Sequence, residues 1–474
     1  MKNFIYLILS GALAFASCSK DDPAPVEVGE VKLNKTTLTL AVGEEQPFTA
    51  TVLPDNAENK TVTWSSSDTK IATVSDAGLV KAVAEGSATI TATADGKSAT
   101  CAVTVKSVTL DKTELTLHRT DTETLTATVL PDDAPDPKVV WTTSDGAVAT
   151  VSEGIVTAVA PGKATITAAS GDQSATCAVT VEPDVYVIGH DRNRTSTDRK
   201  NAILWKNGVP TELPFWDVYN GGIKISDGDV YVAGVYGNPY NASVGVMKNE
   251  VLTEWSKVGY DISFFVSGED EYLAFSRGGR AIIHKNKIET TLDPDLVAST
   301  YSVVVLNGDV YVGGRRIFNK GGHSATYWKN GVATDLTDGT WNAAVLSMTI
   351  ADGVIYAVGY QHLSPGDAKA VLWKDWKPTD LPEGYYAYDV SVSGKGDVYV
   401  AGKNQDEKPV FWKNGVPTQL PIPEGSSDAG AYAIFAYDDD VYVAGWDNDY
   451  AVLWKNGVPE RLSSRYDAVA VVVY

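Results

Sequence analysis

Seven copies of one pattern of apolar and polar residues occupy the C-terminal part of the chain. Each copy contains a segment of the type Asp-Val-Tyr-Val-Ala-Gly, whose period-two alternation predicts a β-strand. A segment ending in Trp-Lys-Asn-Gly follows, then one of the type Val-Pro-Thr-Glu-Leu, and then a short apolar segment. Asn-Gly is typical of two-residue hairpin turns, because both central positions need a positive φ. The tyrosines that mark the repeat stand at positions 186, 231, 272, 311, 356, 399 and 442.

The spacing and phase of this repeat predict a closed ring. The copies are 39 to 45 residues apart, which is typical of the four-stranded blades of a β-propeller. The repeat region begins at a second strand, near Asp184, and ends with the apolar segment Ala468–Tyr474. The last segment is therefore expected to complete the first blade and to remove both open sheet edges. Residues 183–474 are predicted to form seven blades, with the small apolar segments innermost. A ring of six or eight blades would require that one repeat is assigned wrongly, and the third copy, which is the most degraded, carries that risk.

Residues 31–105 and 106–182 are two copies of a different repeat. Apolar residues alternate with outward-facing threonines, which predicts short antiparallel strands closed into a β-sandwich. One tryptophan in each copy, Trp64 or Trp141, is expected to fill the core between the sheets. Cys101 and Cys177 occupy the same position in the two copies. Neither copy therefore has a second thiol for an internal disulfide, and we expect both cysteines to be buried small hydrophobes.

These modules resemble the bacterial immunoglobulin-like group 2 family across their whole length. The resemblance includes the Trp-Ser-Ser-Ser run at Trp64 and the segment Gly86-Ser87-Ala88-Thr89-Ile90. It implies that the two modules are spacers, with adhesion by the modules themselves as the alternative. The predicted fold class is all-β: two Ig-like β-sandwiches in series, followed by a seven-bladed β-propeller of four-stranded blades.

The N-terminus has the features of an export signal. Lys2 precedes the apolar run Phe4–Ala16, which is too short to span a membrane as a mature helix. Cys18 follows in a context that resembles the lipobox of bacterial lipoproteins, and the residues after it resemble the export signal of Bacteroidetes surface lipoproteins. The resemblance implies a signal peptide over residues 1–17, lipidation of Cys18, a linker over residues 18–30, and an outer-membrane lipoprotein exposed at the cell surface. An ordinary secretory signal is the alternative.

Composition excludes several classes of function. A formal net charge of −21 and a pI of about 4.6 disfavour nucleic acid and an anionic membrane surface as partners. No nucleophile elbow, cysteine pair or metal-binding histidine motif is present, so the sequence favours a binding protein over an enzyme without deciding between them, and we expect no cofactor and no metal. We also expect a monomer. Two weaker metal hypotheses remain. The loop histidines His190, His323 and His362 would form one site, and the oxygens of Asp447-Asn448-Asp449 would offer a calcium site.

Topology separates the two faces of the predicted ring. One face carries tight turns, while the other, the loop face, carries the connections between second and third strands and between successive blades. Gly189–Asn201, Gly234–Ser243, Gly314–Ser324 and Gly359–Lys369 are expected to be long connections on the loop face. Ligand binding is therefore assigned to the loop face.

Aromatic residues and arginines outside the repeat framework concentrate on the loop face. Aromatic rings with a polar edge suit sugar rings and peptides, and arginine forks suit carboxylates. The alternatives are loop packing for the aromatic residues and pairing with nearby acids, such as Asp191, Asp198 and Glu269, for the arginines. Further arginines on this face are Arg192, Arg194, Arg199, Arg277 and Arg280. The predicted ligand-binding residues are Trp216, Tyr219, Tyr236, Tyr240, Trp255, Arg315, Arg316, Trp341, Tyr385, Tyr386 and Trp446.

The sequence thus predicts capture of an extracellular polymer, chiefly a glycan, on the loop face of the propeller. This resembles an accessory protein of a polysaccharide-uptake system, which is an argument from analogy. Two alternatives remain: a glycoside hydrolase or polysaccharide lyase at the channel mouth, and an adhesin or assembly module that binds a host or partner protein.

Overall fold

The computed structural model describes residues 25–130, 138–171, 173–192, 201–238, 241–257, 259–318 and 321–474. Every regular element in these ranges is a β-strand. No helix in the described ranges is long and apolar enough to cross a membrane. The predicted signal segment and Cys18 lie outside these ranges. The chain forms two compact units, one ending at Glu182 and one running from Pro183 to Tyr474.

The first module is a β-sandwich. A four-stranded sheet has the order β5-β8-β9-β2, a three-stranded sheet has the order β3-β7-β6, and β1 pairs with β4. The strands are β1 (Glu30–Leu33), β2 (Thr37–Ala41), β3 (Glu45–Pro47), β4 (Ala50–Leu53), β5 (Thr63–Ser66), β6 (Ala72–Val74), β7 (Leu79–Ala82), β8 (Gly86–Ala94) and β9 (Lys97–Leu110).

The second module repeats this arrangement. Its sheets have the orders β13-β16-β17-β10 and β11-β15-β14, and β12 pairs with the second half of β9. No separate linker therefore joins the two modules, because one strand belongs to both. The strands are β10 (Glu114–His118), β11 (Thr122–Thr124), β12 (Ala127–Leu130), β13 (Val140–Thr143), β14 (Ala149–Ser152), β15 (Ile155–Ala158), β16 (Gly162–Ser170) and β17 (Gln173–Glu182).

One strand pair in each module is parallel, namely β2 with β9 and β10 with β17. The prediction of purely antiparallel strands was wrong here, since alternation of side chains does not encode strand direction. Trp64 and Trp141 are half-buried against the sandwich cores. Cys101 and Cys177 are fully buried, as predicted, and burial raises the pKa of both thiols.

The second unit is a seven-bladed β-propeller. Its described residues contain seven four-stranded antiparallel sheets whose innermost strands contact one another in sequence. The first blade consists of β18 (Val185–Asp191), β19 (Ile203–Lys206), β20 (Val209–Glu212) and the last strand of the chain, β45 (Tyr466–Val473). The predicted mode of closure is therefore confirmed: the last strand is the innermost strand of blade 1.

The other six blades each use four consecutive strands, ordered from the innermost outward. Blades 2 to 4 comprise β21 (Asp217–Ser226), β22 (Asp229–Asn238), β23 (Asn241–Lys248), β24 (Val251–Lys257), β25 (Tyr260–Ser267), β26 (Asp270–Arg277), β27 (Arg280–Lys285), β28 (Ile288–Thr291), β29 (Val297–Leu306), β30 (Asp309–Ile317), β31 (His323–Lys329) and β32 (Val332–Asp335). Blades 5 to 7 comprise β33 (Ala343–Ala351), β34 (Val354–Ser364), β35 (Asp367–Lys374), β36 (Lys377–Asp380), β37 (Gly384–Val392), β38 (Val398–Asn404), β39 (Pro409–Lys413), β40 (Val416–Gln419), β41 (Ala429–Tyr437), β42 (Asp440–Asp447), β43 (Tyr450–Lys455) and β44 (Val458–Ser464).

The repeated Asp-x-Tyr and Lys-Asn residues form a clamp between the second and third strands, called the framework clamp below. In blade 1 it consists of Asp184, Tyr186, Lys206 and Asn207. The asparagine amide donates to the aspartate at 2.6 to 2.7 Å in six blades. The lysine ammonium lies 5.1 to 5.5 Å from the centre of the tyrosine ring in all seven. The motif is therefore structural, because its side chains bind one another and are not offered to a ligand.

Several connections predicted to be long loops are instead extended hairpins. The segment Gly359–Lys369 is mostly strand, because β34 and β35 continue to pair until Pro365 and Gly366 make the turn. The same holds for blade 2, where β22 and β23 pair out to Asn238 and Asn241. The strands reach beyond the length of the repeat motif, so the loop face is built largely from paired backbone.

Candidate functional site

Every innermost strand of the propeller is irregular near its loop-face end. The pairing register shifts in β21, β25, β29, β33, β37 and β41, and between β18 and β45 in blade 1. A β-bulge leaves an extra residue outside the ladder and turns its side chain in a new direction. Blade 6 has two such shifts, and the first leaves Tyr385 outside the ladder. In five blades a single-residue bulge leaves one residue outside the ladder nearer the axis, namely Tyr301, Leu346, Tyr388, Tyr432 and Val469.

These residues surround a cavity of about 400 Å³ on the propeller axis, called the axial cavity below. All seven innermost strands contribute to its wall. The volume lies in the range of small-molecule sites in proteins. Four tyrosines give it apolar ring surface with hydroxyl groups at the edges. The lining residues are His190, Arg192, Val218, Tyr219, Asp261, Ile262, Tyr301, Leu346, Tyr388, Tyr432, Asp467 and Val469.

Arg192 is the cationic group of the axial cavity, and its charge is already neutralised. Its Nε donates to Asp467 at 2.8 Å, and a terminal nitrogen donates to the Asp447 carbonyl oxygen at 2.8 Å. The guanidinium also lies over the Trp446 ring, 5.1 Å from its centre. A carboxylate ligand would have to compete with these contacts, so the cavity is better suited to a neutral polar ligand.

A second polar cluster holds one wall of the cavity in place. The Nδ1 atom of His190 lies 3.0 Å from the Val218 carbonyl oxygen and 3.5 Å from Asp217. The Tyr219 hydroxyl donates to Asp217 at 3.0 Å. His190 is 5% exposed and Asp217 is 3% exposed. Their contacts therefore fix the first residues of β21 in the wall of the axial cavity.

The tyrosine hydroxyls remain hydrogen-bond donors at physiological pH. Burial raises the pKa of Tyr301 to about 12, and burial together with the neighbouring tyrosines raises the pKa of Tyr386 to about 12. The pKa of Tyr388 is raised in the same direction, chiefly by burial. A protonated phenol both donates and accepts, which matches the hydroxyl groups of a sugar.

A row of aromatic rings runs from Tyr432 of blade 7, in the axial cavity, across blades 6 and 5. This aromatic track consists of Tyr432, Tyr388, Tyr386, Tyr385 and Tyr360. Successive ring centres are 5.6, 5.9 and 4.8 Å apart from Tyr432 to Tyr385, and Tyr360 lies 4.3 Å from Tyr386. All five rings are half-buried, so each one keeps exposed surface. The track provides a continuous aromatic surface from the axis to the rim.

Two polar side chains fix the outer part of the aromatic track. The Nε2 atom of His362 lies 2.8 Å from the Tyr386 hydroxyl oxygen. The Lys403 ammonium lies 5.0 Å and 5.2 Å from the ring centres of Tyr385 and Tyr386. These contacts hold the rings in one arrangement before any ligand binds, which lowers the entropy lost on binding.

The structure places the predicted aromatic residues in different environments. Tyr219 lines the axial cavity, and Tyr385 and Tyr386 belong to the aromatic track. Trp341 is 42% exposed and lies on the connection to blade 5. Tyr240 lies outside the described residues.

Four other predicted aromatic residues are at least partly buried against neighbouring groups of the propeller. Trp255 is 7% exposed and packs at 6.0 Å, edge-on, against Phe264, so its assignment to the binding surface was wrong. Trp216 packs on the same core. The Tyr236 hydroxyl donates to a carboxylate of its own blade, and Trp446 packs on Gly430. The sequence shows that these positions depart from the repeat but does not show which way they point.

The arginines do not form a free anion-binding cluster among the described residues. Arg316 pairs with Asp293 at 2.6 Å and Asp335 at 2.8 Å. Arg277 pairs with Glu289, and Arg280 donates to a backbone carbonyl. The expected alternative of local pairing therefore holds, although with other acids, because Asp191 is engaged by Arg465. The predicted Arg315 lies over Tyr301 of the cavity wall at 5.8 Å and within 3.4 Å of His323. Arg194 and Arg199 lie outside the described residues.

Neither weak metal hypothesis gains support from the geometry. His190, His323 and His362 belong to blades 1, 4 and 5, and they contact different groups: the Val218 carbonyl oxygen, the Arg315 guanidinium and the Tyr386 hydroxyl. Burial and Arg315 lower the pKa of His323. The Asp447 carboxylate accepts from Arg461 at 2.7 Å and from a backbone N–H at 3.0 Å, so its oxygens are already used. No group of three metal-ligating side chains occurs within the described part of the chain.

Five polar or aromatic cavity residues escaped the sequence interpretation, namely Asp261, Tyr301, Tyr388, Tyr432 and Asp467. Tyr301 and Tyr432 each stand ten residues before a framework tyrosine, and Tyr388 stands eleven before. A comparison of the copies at this offset would have singled them out. Their inward direction depends on the bulges, which the alternation pattern does not reveal.

The comparisons with known proteins concern mainly the N-terminal modules. The family model of the bacterial Ig-like domain (group 2) matches residues 27–103 and 104–181. Both modules are group 2 bacterial Ig-like domains. An uncharacterized protein of Clostridium acetobutylicum is 39% identical to the chain over 167 residues, 34% of this chain and 17% of that protein. An alpha-L-arabinofuranosidase of Bifidobacterium longum is 46% identical over 86 residues, 18% of this chain and 8% of that protein. The chain thus spans less than a fifth of either relative.

Solved structures give only a distant likeness to the whole chain. A quinonprotein alcohol dehydrogenase-like protein from Bacteroides thetaiotaomicron covers 76% of this chain and 96% of its own, with a TM-score of 0.41 and 10% identity. Likeness at this level carries no argument about activity. The Ig-like domains are assigned by family, whereas the chemistry of the propeller rests on its own residues.

Proposed function

We propose that the protein binds a glycan, with the end of the sugar chain in the axial cavity and the following units along the aromatic track. The observation that carries this proposal is the ring of bulges, which turns four partly exposed tyrosines towards one cavity of about 400 Å³. Sugar rings present apolar faces that stack on aromatic side chains, while their hydroxyl groups need donors and acceptors at the edges. The cavity supplies both.

The charge of the site favours a neutral glycan over an acidic one. Arg192, the cation of the axial cavity, is neutralised by Asp467, and Asp261 adds a further carboxylate to the wall. The expectation that arginine forks on the loop face bind carboxylates loses its basis, because Arg277 and Arg316 are paired with acids. Tyrosine stacking and hydroxyl hydrogen bonds remain as the sources of affinity.

Similar proteins are consistent with a carbohydrate setting. The Bifidobacterium relative is named an alpha-L-arabinofuranosidase, although the likeness covers only 18% of this chain. We further propose that the mature protein is a lipoprotein anchored through Cys18 at the outer membrane and exposed at the cell surface, with the Ig-like domains as spacers. Radiolabelled palmitate incorporation that Cys18→Ala abolishes, with protease accessibility on whole cells, tests this part.

Binding of the soluble chain from Asp21 onwards to a glycan array tests the first part of the proposal. Tyr388→Ala and Tyr432→Ala are each expected to lower the affinity about 5- to 150-fold, since loss of one stacking contact costs about 1–3 kcal/mol by analogy with other aromatic platforms. Tyr450→Ala, which removes a loop-face tyrosine outside the cavity, is the matched control. Equal affinity of all three variants would contradict the proposal.

A reducing-sugar assay on the glycans that bind separates capture from turnover. The proposal predicts binding without product. Release of reducing ends would support the hydrolase alternative, and silence on both assays would favour a protein partner.

A further inference from the structure

A second, smaller cavity of about 80 Å³ lies on the channel, one residue layer beyond the axial cavity. The residues that follow the bulged positions line it, among them Ser263, Ser302 and Asp389. Lys224 enters from β21. The volume holds an ion of a few atoms or two to three waters, since a water occupies about 30 Å³ of liquid.

The hydroxyl groups at this level have protons to donate. Ser263 Oγ accepts the backbone N–H of Val303 at 3.2 Å, and Ser302 Oγ accepts that of Met348 at 3.0 Å. Each contact joins one innermost strand to the next and uses the oxygen as acceptor only. A serine hydroxyl carries one donor besides its lone pairs. Both protons therefore remain available towards the channel.

Among the described residues that line this cavity, Asp389 supplies the one carboxylate, and that carboxylate is already engaged. Asp389 accepts from Ser347 Oγ at 2.6 Å and from the backbone N–H of Ile434 at 2.9 Å. It influences Lys224 electrostatically, yet the two do not come within ion-pair distance. Burial lowers the pKa of Lys224 and raises the pKa of Asp389. In the described part of the channel, donors therefore outnumber free acceptors.

We infer that Lys224, Ser263 and Ser302 form a binding site for a small anion in the propeller channel. The three residues come from the innermost strands of blades 2, 3 and 4, which are consecutive, and all three line the same small cavity. A bound anion favours the ammonium form of Lys224, whose pKa burial otherwise lowers, and the two hydroxyls add the hydrogen bonds that a halide or a carboxylate needs. The anion is either a free inorganic ion or, in contrast to the neutral glycan favoured above, a carboxylate at the end of a ligand in the axial cavity; the displacement experiment separates the two. The free-ion arm does not depend on glycan binding.

The ³⁵Cl NMR line width of sodium chloride in the presence of the protein tests this site. Wild type is expected to give saturable excess broadening that sodium formate displaces. Lys224→Met is expected to weaken chloride binding about tenfold or more, which corresponds to loss of at least about 1.4 kcal/mol. Lys377→Met, which removes an exposed lysine of the outermost strand of blade 5, is the control and is expected to behave as wild type.

Competition by other anions and two further variants distinguish the possible occupants of the site. Displacement by glucuronate but not by glucose, at concentrations where formate is ineffective, identifies a ligand carboxylate as the occupant. Displacement by formate alone identifies a free anion. If Lys224→Met does not fold, Lys224→Arg must keep the broadening and the double variant Ser263→Ala/Ser302→Ala must reduce it. Two outcomes would show that the cavity holds only water. One is the absence of excess broadening together with no preference for glucuronate, and the other is equal broadening in wild type and all these variants.

Discussion

The framework clamp predicts that the residues at its asparagine and aspartate positions depend on each other. In blade 1 the amide of Asn207 donates to Asp184 at 2.7 Å and accepts the backbone N–H of Val185 at 2.8 Å. Blade 5 has Asp375 in place of the asparagine and Val354 in place of the aspartate. The two replacements occur together, as expected if a carboxylate at one position excludes a carboxylate at the other.

Asn207→Asp in blade 1 therefore tests the clamp. The change removes a hydrogen bond to a charged group, worth about 1.5–3 kcal/mol. It also sets two carboxylates about 3–4 Å apart, where repulsion at an effective dielectric constant near 20 is about 4–5 kcal/mol. Lys206, which lies 2.9 Å from the 5% exposed Asp184, offsets part of this repulsion. We expect a net loss of about 2–4 kcal/mol, or roughly 4–8 °C in the melting temperature of the propeller, at about 2 °C per kcal/mol.

The double variant Asp184→Val/Asn207→Asp reproduces blade 5 and is expected to recover most of the loss. Differential scanning calorimetry of wild type, both single variants and the double variant closes a thermodynamic cycle. Repulsion raises the folded-state pKa of the carboxylate pair, so the deficit of Asn207→Asp is full at pH 7 and shrinks as the pH falls towards about 4. The reasoning is refuted if the double variant melts below Asn207→Asp, or if the deficit does not depend on pH.

The remaining predictions concern strain, packing and thiol burial. Glu250 occupies a hairpin turn at φ +72°, where four other blades have glycine, so Glu250→Gly is expected to stabilise by about 0.5–1 kcal/mol in chemical denaturation; an unchanged midpoint would contradict strain there. Trp216→Ala is expected to cost about 2 kcal/mol or more, whereas Trp341→Ala should leave the melting temperature within about 1 °C; similar losses for both would show that Trp341 is packed. Cys101 and Cys177 are expected to resist Ellman's reagent in the native chain from Asp21 and to react fully in guanidinium; labelling of the native protein would contradict their burial.

The local elements of this protein follow from short stretches of sequence. Asn-Gly turns require positive φ at both central residues, and Asn207 and Gly208 have φ of 51° and 78°. The phase of the repeat was sufficient to predict that β45 completes blade 1, because a propeller without open edges leaves that strand no other partner. The family resemblance of the N-terminal modules was equally readable, since their framework residues are close in sequence.

The site required the tertiary structure. Tyr388 lies in a strand whose alternation places neighbouring side chains on opposite faces, and only the register shift between Ala387 and Asp389 turns it to the axis. Trp255 and Trp341 look alike in sequence as departures from the repeat, yet one is buried and the other exposed. The sequence by itself determined the repeating units and the closure of the ring, because these depend on local backbone preferences and on pairing every strand edge. The tertiary structure alone decided which side chains reach the axial cavity, because that depends on bulges formed where seven innermost strands pack together.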